Sequence, residues 1–216
     1  MTDSSLKKMW IGGQAVDGDA GVAPLVSVNP ATGEVNYEVA AAGAKAADTA
    51  VRVADEAARD KKWRNMLPPA RAAILSRIAD GMERRSEELA RLQMIENGKV
   101  WRECQTQVKS AAATFRYYAA VCETTGSEVT PARGDYLSMS VYEPYGVVAA
   151  ITPWNFPMTM EAQKVAPALA AGNAVILKPS EITPSTGLLL AEIAQEAGLP
   201  PGILNVLPGT GQQVGA

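Results

Sequence analysis

Val147-Val148-Ala149-Ala150-Ile151 is an unbroken apolar run, and Ala174-Val175-Ile176-Leu177 and Ile203-Leu204-Asn205-Val206-Leu207 repeat its character. Runs this short, bounded by Pro and Gly, read as strands covered on both faces. A Pro-bounded loop, Thr152 to Pro157, follows the first run. It leads into a helical stretch ending near Gly172-Asn173, residues that tolerate a left-handed cap. The second run stops at Lys178-Pro179, and a helix from about Ser185 to Ala197 closes at Gly198. Strand, helix, strand, helix, strand predicts a right-handed parallel unit, part of a doubly wound α/β sheet.

Ahead of this unit the chain changes period three times. Met9-Trp10-Ile11 and Ala15-Val16 flank Gly12-Gly13, a hairpin signal, and Asn29-Pro30-Ala31-Thr32-Gly33 is a second turn. From Ala44 the apolar residues fall at helical spacing: Ala47, Val51, Ala54 and Ala58. A second helix follows Pro68-Pro69 with Ile74, Ile78 and Met82 on one face. A third runs from about Val100 to Cys122 with Cys104, Val108, Ala111, Phe115 and Tyr118 in a stripe. Beyond Thr124-Thr125-Gly126, Leu137, Met139 and Val141 alternate with Ser138 and Ser140. Period 2 predicts a half-exposed, protruding β-hairpin, and its edge could serve as an oligomer contact. Three parts are expected: strands and helices over 1–123, the hairpin over 124–145, and the parallel unit over 146–216.

Composition excludes several functions. The 216 residues are 47% apolar and 20% charged with a net charge of −3, ordinary for a globular protein. There is no histidine, which removes Ser–His and Cys–His catalysis and any His-ligated metal. Two cysteines are too few for a Cys-only zinc site, and no metal is expected. The mild negative balance argues against a nucleic-acid surface. The N-terminus lacks the apolar run of a signal peptide, and no stretch reaches the ~20 apolar residues of a membrane span. Two cysteines without an export signal suggest the cytoplasm.

In an open parallel sheet, ligands lie beyond the carboxyl ends of the strands. Three loops leave such ends here: Thr152 to Pro157, Lys178 to Pro184, and Pro208 to Gly215. Lys178 puts a cation in reach of ribose hydroxyls or a phosphate. Glu181 can accept two hydrogen bonds from a ribose diol and would repel a 2′-phosphate, which favours NAD over NADP. The same two residues could equally be a surface pair. Gly209 and Gly211 would let backbone approach a ligand closely, although the Gly209, Gly211, Gly215 spacing is one residue longer than G-x-G-x-x-G. Trp154 alone reads better as core than as a ligand contact.

Thr152-Pro153-Trp154-Asn155-Phe156-Pro157, Lys164, Pro167-Ala168-Leu169-Ala170-Ala171-Gly172-Asn173, Lys178-Pro179-Ser180-Glu181 and Gly198-Leu199-Pro200-Pro201-Gly202 follow in that order. Together they resemble the aldehyde dehydrogenase superfamily, and Asn29-Pro30-Ala31-Thr32-Gly33-Glu34 is similar to its start. The resemblance implies a Rossmann-like fold and oxidation of an aldehyde through a cysteine thiohemiacetal with NAD, or alternatively NADP, as hydride acceptor. It implies that Asn155 donates to the oxyanion and that Ile151, Thr152, Pro153 and Trp154 line the cofactor cleft. Lys178, Pro179, Ser180 and Glu181 would face the adenosine ribose, and Gly211 with Gln212 the adenine. Lys164 matches a charge-relay lysine, although Glu161 at i−3 offers a plain intrahelical pair instead.

In the superfamily the nucleophilic cysteine and general-base glutamate lie later than the matching region. Cys104 and Cys122, in the helical part, are expected to be core or surface thiols, and the isolated polypeptide to be inactive. The partners implied are an aldehyde and, in a full-length enzyme, further copies of the chain; the open strand edge should make the chain aggregate or pair. A non-catalytic remnant acting through nucleotide binding or assembly is the competing reading. A thiol redox protein is weak, because no C-x-x-C exists.

Overall fold

A computed structural model describes residues 6–131 and 134–215. The chain opens with β1 (Met9–Ile11), β2 (Gln14–Val16), β3 (Leu25–Val28) and β4 (Val35–Val39). Five helices follow: α1 (Ala44–Arg59), α2 (Lys61–Arg64), α3 (Pro68–Arg84), α4 (Ser86–Asn97) and α5 (Trp101–Thr124). The remainder is β5 (Val147–Ile151), α6 (Pro157–Ala170), β6 (Ala174–Lys178), α7 (Ser185–Glu196), β7 (Leu204–Val206) and α8 (Gly211–Val214).

The expected parallel unit is there. β5 pairs with β6 from Val147↔Ala174 to Ile151↔Lys178, and β6 with β7 from Val175↔Leu204 to Leu177↔Val206. The N-terminal hairpin extends the same sheet, because β1 runs antiparallel to β7 at Trp10↔Val206, giving the order β2-β1-β7-β6-β5. Asn205 secures the junction: its Oδ1 accepts from Gly12 N at 2.9 Å and its Nδ2 donates to the Gly202 carbonyl at 2.7 Å. Asn173 does the same at the start of β5, accepting from Gly146 N at 3.0 Å. β3 and β4 form a separate two-stranded sheet.

All five residues of β6 are buried, which requires cover on both faces. α6 and α7 pack on one another and on the parallel strands, while α1 crosses β5, β6 and β7 separately. α3 and α5 make an outer layer on α6 and α7, with Leu75, Ile78, Met82 and Phe115 fully buried between them. Pro157 and Pro68 sit in the first turns of their helices, where the missing N–H costs nothing.

Three expectations change. β5 reads as a buried strand, yet Ala149 and Ile151 are exposed, because β5 is a sheet edge paired on one side only among the described residues. The helical region holds the short α2 and the longer α4 in addition to the three helices expected, and the inward face of α4 includes Gln93 and Glu96. The 124–145 segment does fold back antiparallel, with Thr130 N donating to Ser138 O at 3.0 Å and Ser140 N to Glu128 O at 2.8 Å. It forms an isolated Val129↔Met139 bridge rather than regular strands, and Leu137, Met139 and Val141 are exposed like the serines between them. With no core beneath it, alternation sorts nothing. Residues 132 and 133 of that segment lie outside the described residues.

Candidate functional site

The three loops come together at the carboxyl edge of the parallel strands. Thr152 N donates to the Lys178 carbonyl at 3.1 Å, joining the tips of β5 and β6. Lys178 Nζ donates to the Gly209 carbonyl at 2.8 Å and to the Pro179 carbonyl at 2.8 Å, joining the tips of β6 and β7. Glu181 Oε2 stands 3.7 Å from the same ammonium, beyond hydrogen-bond reach. Burial pushes the Lys178 pKa down, and Glu181 opposes that push. Two carbonyls thus hold the ammonium, and the Glu181 carboxylate stands near it without a hydrogen bond.

The residues singled out in the sequence divide by exposure. Thr152, Lys178, Pro179 and Ser180 are buried. The Ser180 hydroxyl accepts from Ile182 N at 3.3 Å and so shapes its own loop. Ile151, Pro153, Trp154, Asn155, Glu181, Gly211 and Gln212 are exposed on the shelf that the tips form. Gly211 opens α8 with nothing near its missing Cβ, whereas a Cβ on Gly209 would meet Val214 Cγ2 at 2.5 Å and Ala42 O at 3.1 Å. The close approach at Gly209 is therefore made by the chain itself. No side-chain hydrogen bond of Asn155 occurs among the described residues, which leaves its amide for other partners.

Lys164 is exposed on α6, and the intrahelical pair with Glu161 does not form. Glu161 points the other way, fully buried, with Oε1 accepting from Thr186 Oγ1 at 3.1 Å. Burial pushes its carboxyl up to about 8, and the nearby Glu96 adds to the push. Burial likewise pushes Glu96 up to about 7, against the hydroxyls of Ser185 and Tyr37. The sequence offers Glu161 only as a partner for Lys164 and gives no role to Glu96; an acid inside an otherwise apolar stripe, as Glu161 is between Met158 and Ala162, is the signal that marks a buried carboxyl. Cys104 and Cys122 are free and buried, as expected, and Cys122 lies against the carbonyls of Pro68 and Ala170, at the far end of α6 from Asn155.

In doubly wound sheets the order reverses beside the first strand, and the crevice there receives the dinucleotide. The run β7-β6-β5 corresponds to one wing of that order, so the shelf has a single wall among the described residues. A sequence profile of the aldehyde dehydrogenase family matches residues 16–216. This chain belongs to the aldehyde dehydrogenase family. It is 42% identical over 192 residues to the aminoacetaldehyde dehydrogenase of Pseudomonas aeruginosa, covering 88% of this chain and 39% of that protein. Among solved structures, the aldehyde dehydrogenase KauB of Pseudomonas aeruginosa superposes with a TM-score of 0.94 at 38% identity, over 97% of this chain and 42% of that one. An aldehyde dehydrogenase from Bacillus cereus, solved as an NAD+ complex, gives 0.94 at 36% identity, over 98% and 43%. The chain spans about two fifths of the length of the bacterial relatives it matches. Its three parallel strands and their helices are thus the Rossmann-like part of an aldehyde dehydrogenase fold.

Proposed function

We propose that this chain carries the oxyanion donor and the adenosine side of the cofactor crevice of an NAD(P)-dependent aldehyde dehydrogenase. The whole enzyme oxidises an aldehyde to a carboxylic acid through a cysteine thiohemiacetal. The observation that carries the reading is the pair of ties, Thr152 to Lys178 and Lys178 to Gly209, that bring three loop tips to one sheet edge. Lys178 and Glu181 hold the ribose diol between them, while Pro179 and Ser180 set the loop. Ile151, Thr152, Pro153 and Trp154 line the crevice, and Gly211 and Gln212 flank the adenine. NAD, when bound, supplies the hydride acceptor.

Asn155 donates its side-chain N–H to the oxyanion that develops when a thiolate adds to the aldehyde, a contribution of about 3–4 kcal/mol for a preorganised donor. Lys164, solvent-facing on α6, relays protons. The thiolate comes from another part of the enzyme, since Cys104 and Cys122 are buried in the helical layer. The 1–123 part packs on the 146–216 cofactor unit, and the 124–145 arm, with Tyr136, Leu137, Tyr142 and Tyr145 exposed, joins copies of the enzyme into a homo-oligomer. The two free thiols fit a cytoplasmic enzyme.

The test is calorimetric titration of the chain with NAD and with NADP, before and after Glu181→Ala. NAD is expected to bind more tightly than NADP, and the substitution to weaken NAD and shrink the preference. Equal affinities before and after the change would remove the ribose assignment.

A further inference from the structure

We infer that Asn97 and Lys99, in the turn between α4 and α5, are positioning residues that hold the Trp154–Phe156 loop from both sides of Asn155. The inference rests on the proposed role of Asn155. Asn97 Nδ2 donates to the Trp154 carbonyl, on one side of Asn155. Lys99 Nζ lies 3.8 Å from the centroid of the Phe156 ring, on the other side. An ammonium over an aromatic face is held by the ring quadrupole, most strongly where water is excluded. The Lys99 side chain is 13% exposed and is itself steadied by Glu103 Oε1 at 3.1 Å.

The loop has little else to hold it. None of the backbone N–H groups of Trp154, Asn155 and Phe156 donates a backbone hydrogen bond among the described residues. Trp154 is 53% and Phe156 44% exposed, so neither ring is locked by a core. The turn, in contrast, is rigidly placed. Gly98 caps α4 at φ 76° with its N–H on the Met94 carbonyl at 2.9 Å, and a Cβ on it would meet Pro30 Cγ at 2.8 Å. Asn36 Nδ2 donates to the Ile95 carbonyl at 3.0 Å, fixing the end of α4 to β4. A fixed turn therefore clamps a loop that does not clamp itself, and the residue between the two contacts is the oxyanion donor.

The test compares Asn97→Ala, Asn97→Ser, Lys99→Met and Lys99→Arg in the chain, with backbone order parameters from nitrogen relaxation and the side-chain NH2 signals of Asn155 assigned through Asn155→Asp. Asn97→Ala and Lys99→Met should each lower the backbone order parameters at residues 154–156 from the rigid value of about 0.85 to below about 0.6. The Asn155 NH2 pair should collapse toward its free position. Lys99→Arg, which keeps a cation over the ring, should restore both, and the urea midpoint should stay near that of the parent chain. Unchanged order parameters at 154–156 in both Asn97 variants and in Lys99→Met, or identical behaviour of Lys99→Met and Lys99→Arg, would overturn the inference. NAD affinity is measured in parallel: its absence from the parent chain would sink the cofactor reading while leaving the clamp intact, so the two failures are separable.

Discussion

Glu161 sets how the stability of this fold responds to pH. Its carboxyl is fully buried in α6, one oxygen accepting from Thr186 and the other without a partner. Burial raises its pKa from the ordinary 4.5 to about 8. Below pH 4.5 it is neutral in both folded and unfolded chains and its contribution to stability is fully present. Between 4.5 and about 8 the unfolded chain ionises while the folded one stays neutral, so unfolding releases a proton and stability falls by about 1.4 kcal/mol per pH unit. Across that window the loss sums to about 5 kcal/mol, a large share of the ~5–15 kcal/mol typical of a folded domain. Glu161→Gln keeps the shape and the acceptor for Thr186 but cannot ionise. It should match the parent at pH 5 and exceed it by several kcal/mol at pH 8, less whatever its unpaired N–H groups cost. Urea unfolding followed by circular dichroism at pH 5, 6.5 and 8 measures this. Glu96 keeps its own slope up to about 7 in both proteins, so the difference between them isolates Glu161. A stability difference that does not change with pH would refute the reasoning.

Phe115→Ala, at a fully buried site in α5, should lower stability by about 3–5 kcal/mol in the same unfolding assay. Lys178→Met severs the tie between the β6 and β7 tips and removes the cation beside Glu181. NAD affinity by calorimetry should fall at least about tenfold, because charge-assisted hydrogen bonds are lost. The open edge of β5 and the exposed arm should make the chain self-associate. Light scattering is expected to report dimers or larger species, and a monodisperse monomer that melts cooperatively would count against it.

The centre of the fold could be read from the chain because its signals are local. Ala174 to Leu177 is apolar at every position and is buried at every position, and Gly172 and Gly198 mark where the flanking helices stop. The convergence of the loop tips followed from topology alone, since parallel strands send their carboxyl ends to one edge. What escaped depends on partners far away in sequence. β5 looks like β6 in composition, yet its half-exposure follows from standing last in the sheet. α4 lacks a clean apolar stripe because Gln93 and Glu96 sit on its buried side. That Gly209 is crowded by Val214 and Ala42, and that Asn97 reaches Trp154, are contacts no periodicity encodes.

β1 hydrogen-bonds to β7, two strands from opposite ends of the described residues. The Gly12–Asn205 contact spans 193 positions, so β1 and β2 cannot dock until β7 has been synthesised. At ribosomal speeds of about 5–20 residues per second, that is a wait of about 10–40 s during which Met9, Trp10 and Ile11 remain open to chaperones. Such a long-range closure makes folding slow relative to helical proteins of equal size. It also means that deleting the first sixteen residues would strip β7 of its neighbour and turn a second flank of the sheet sticky.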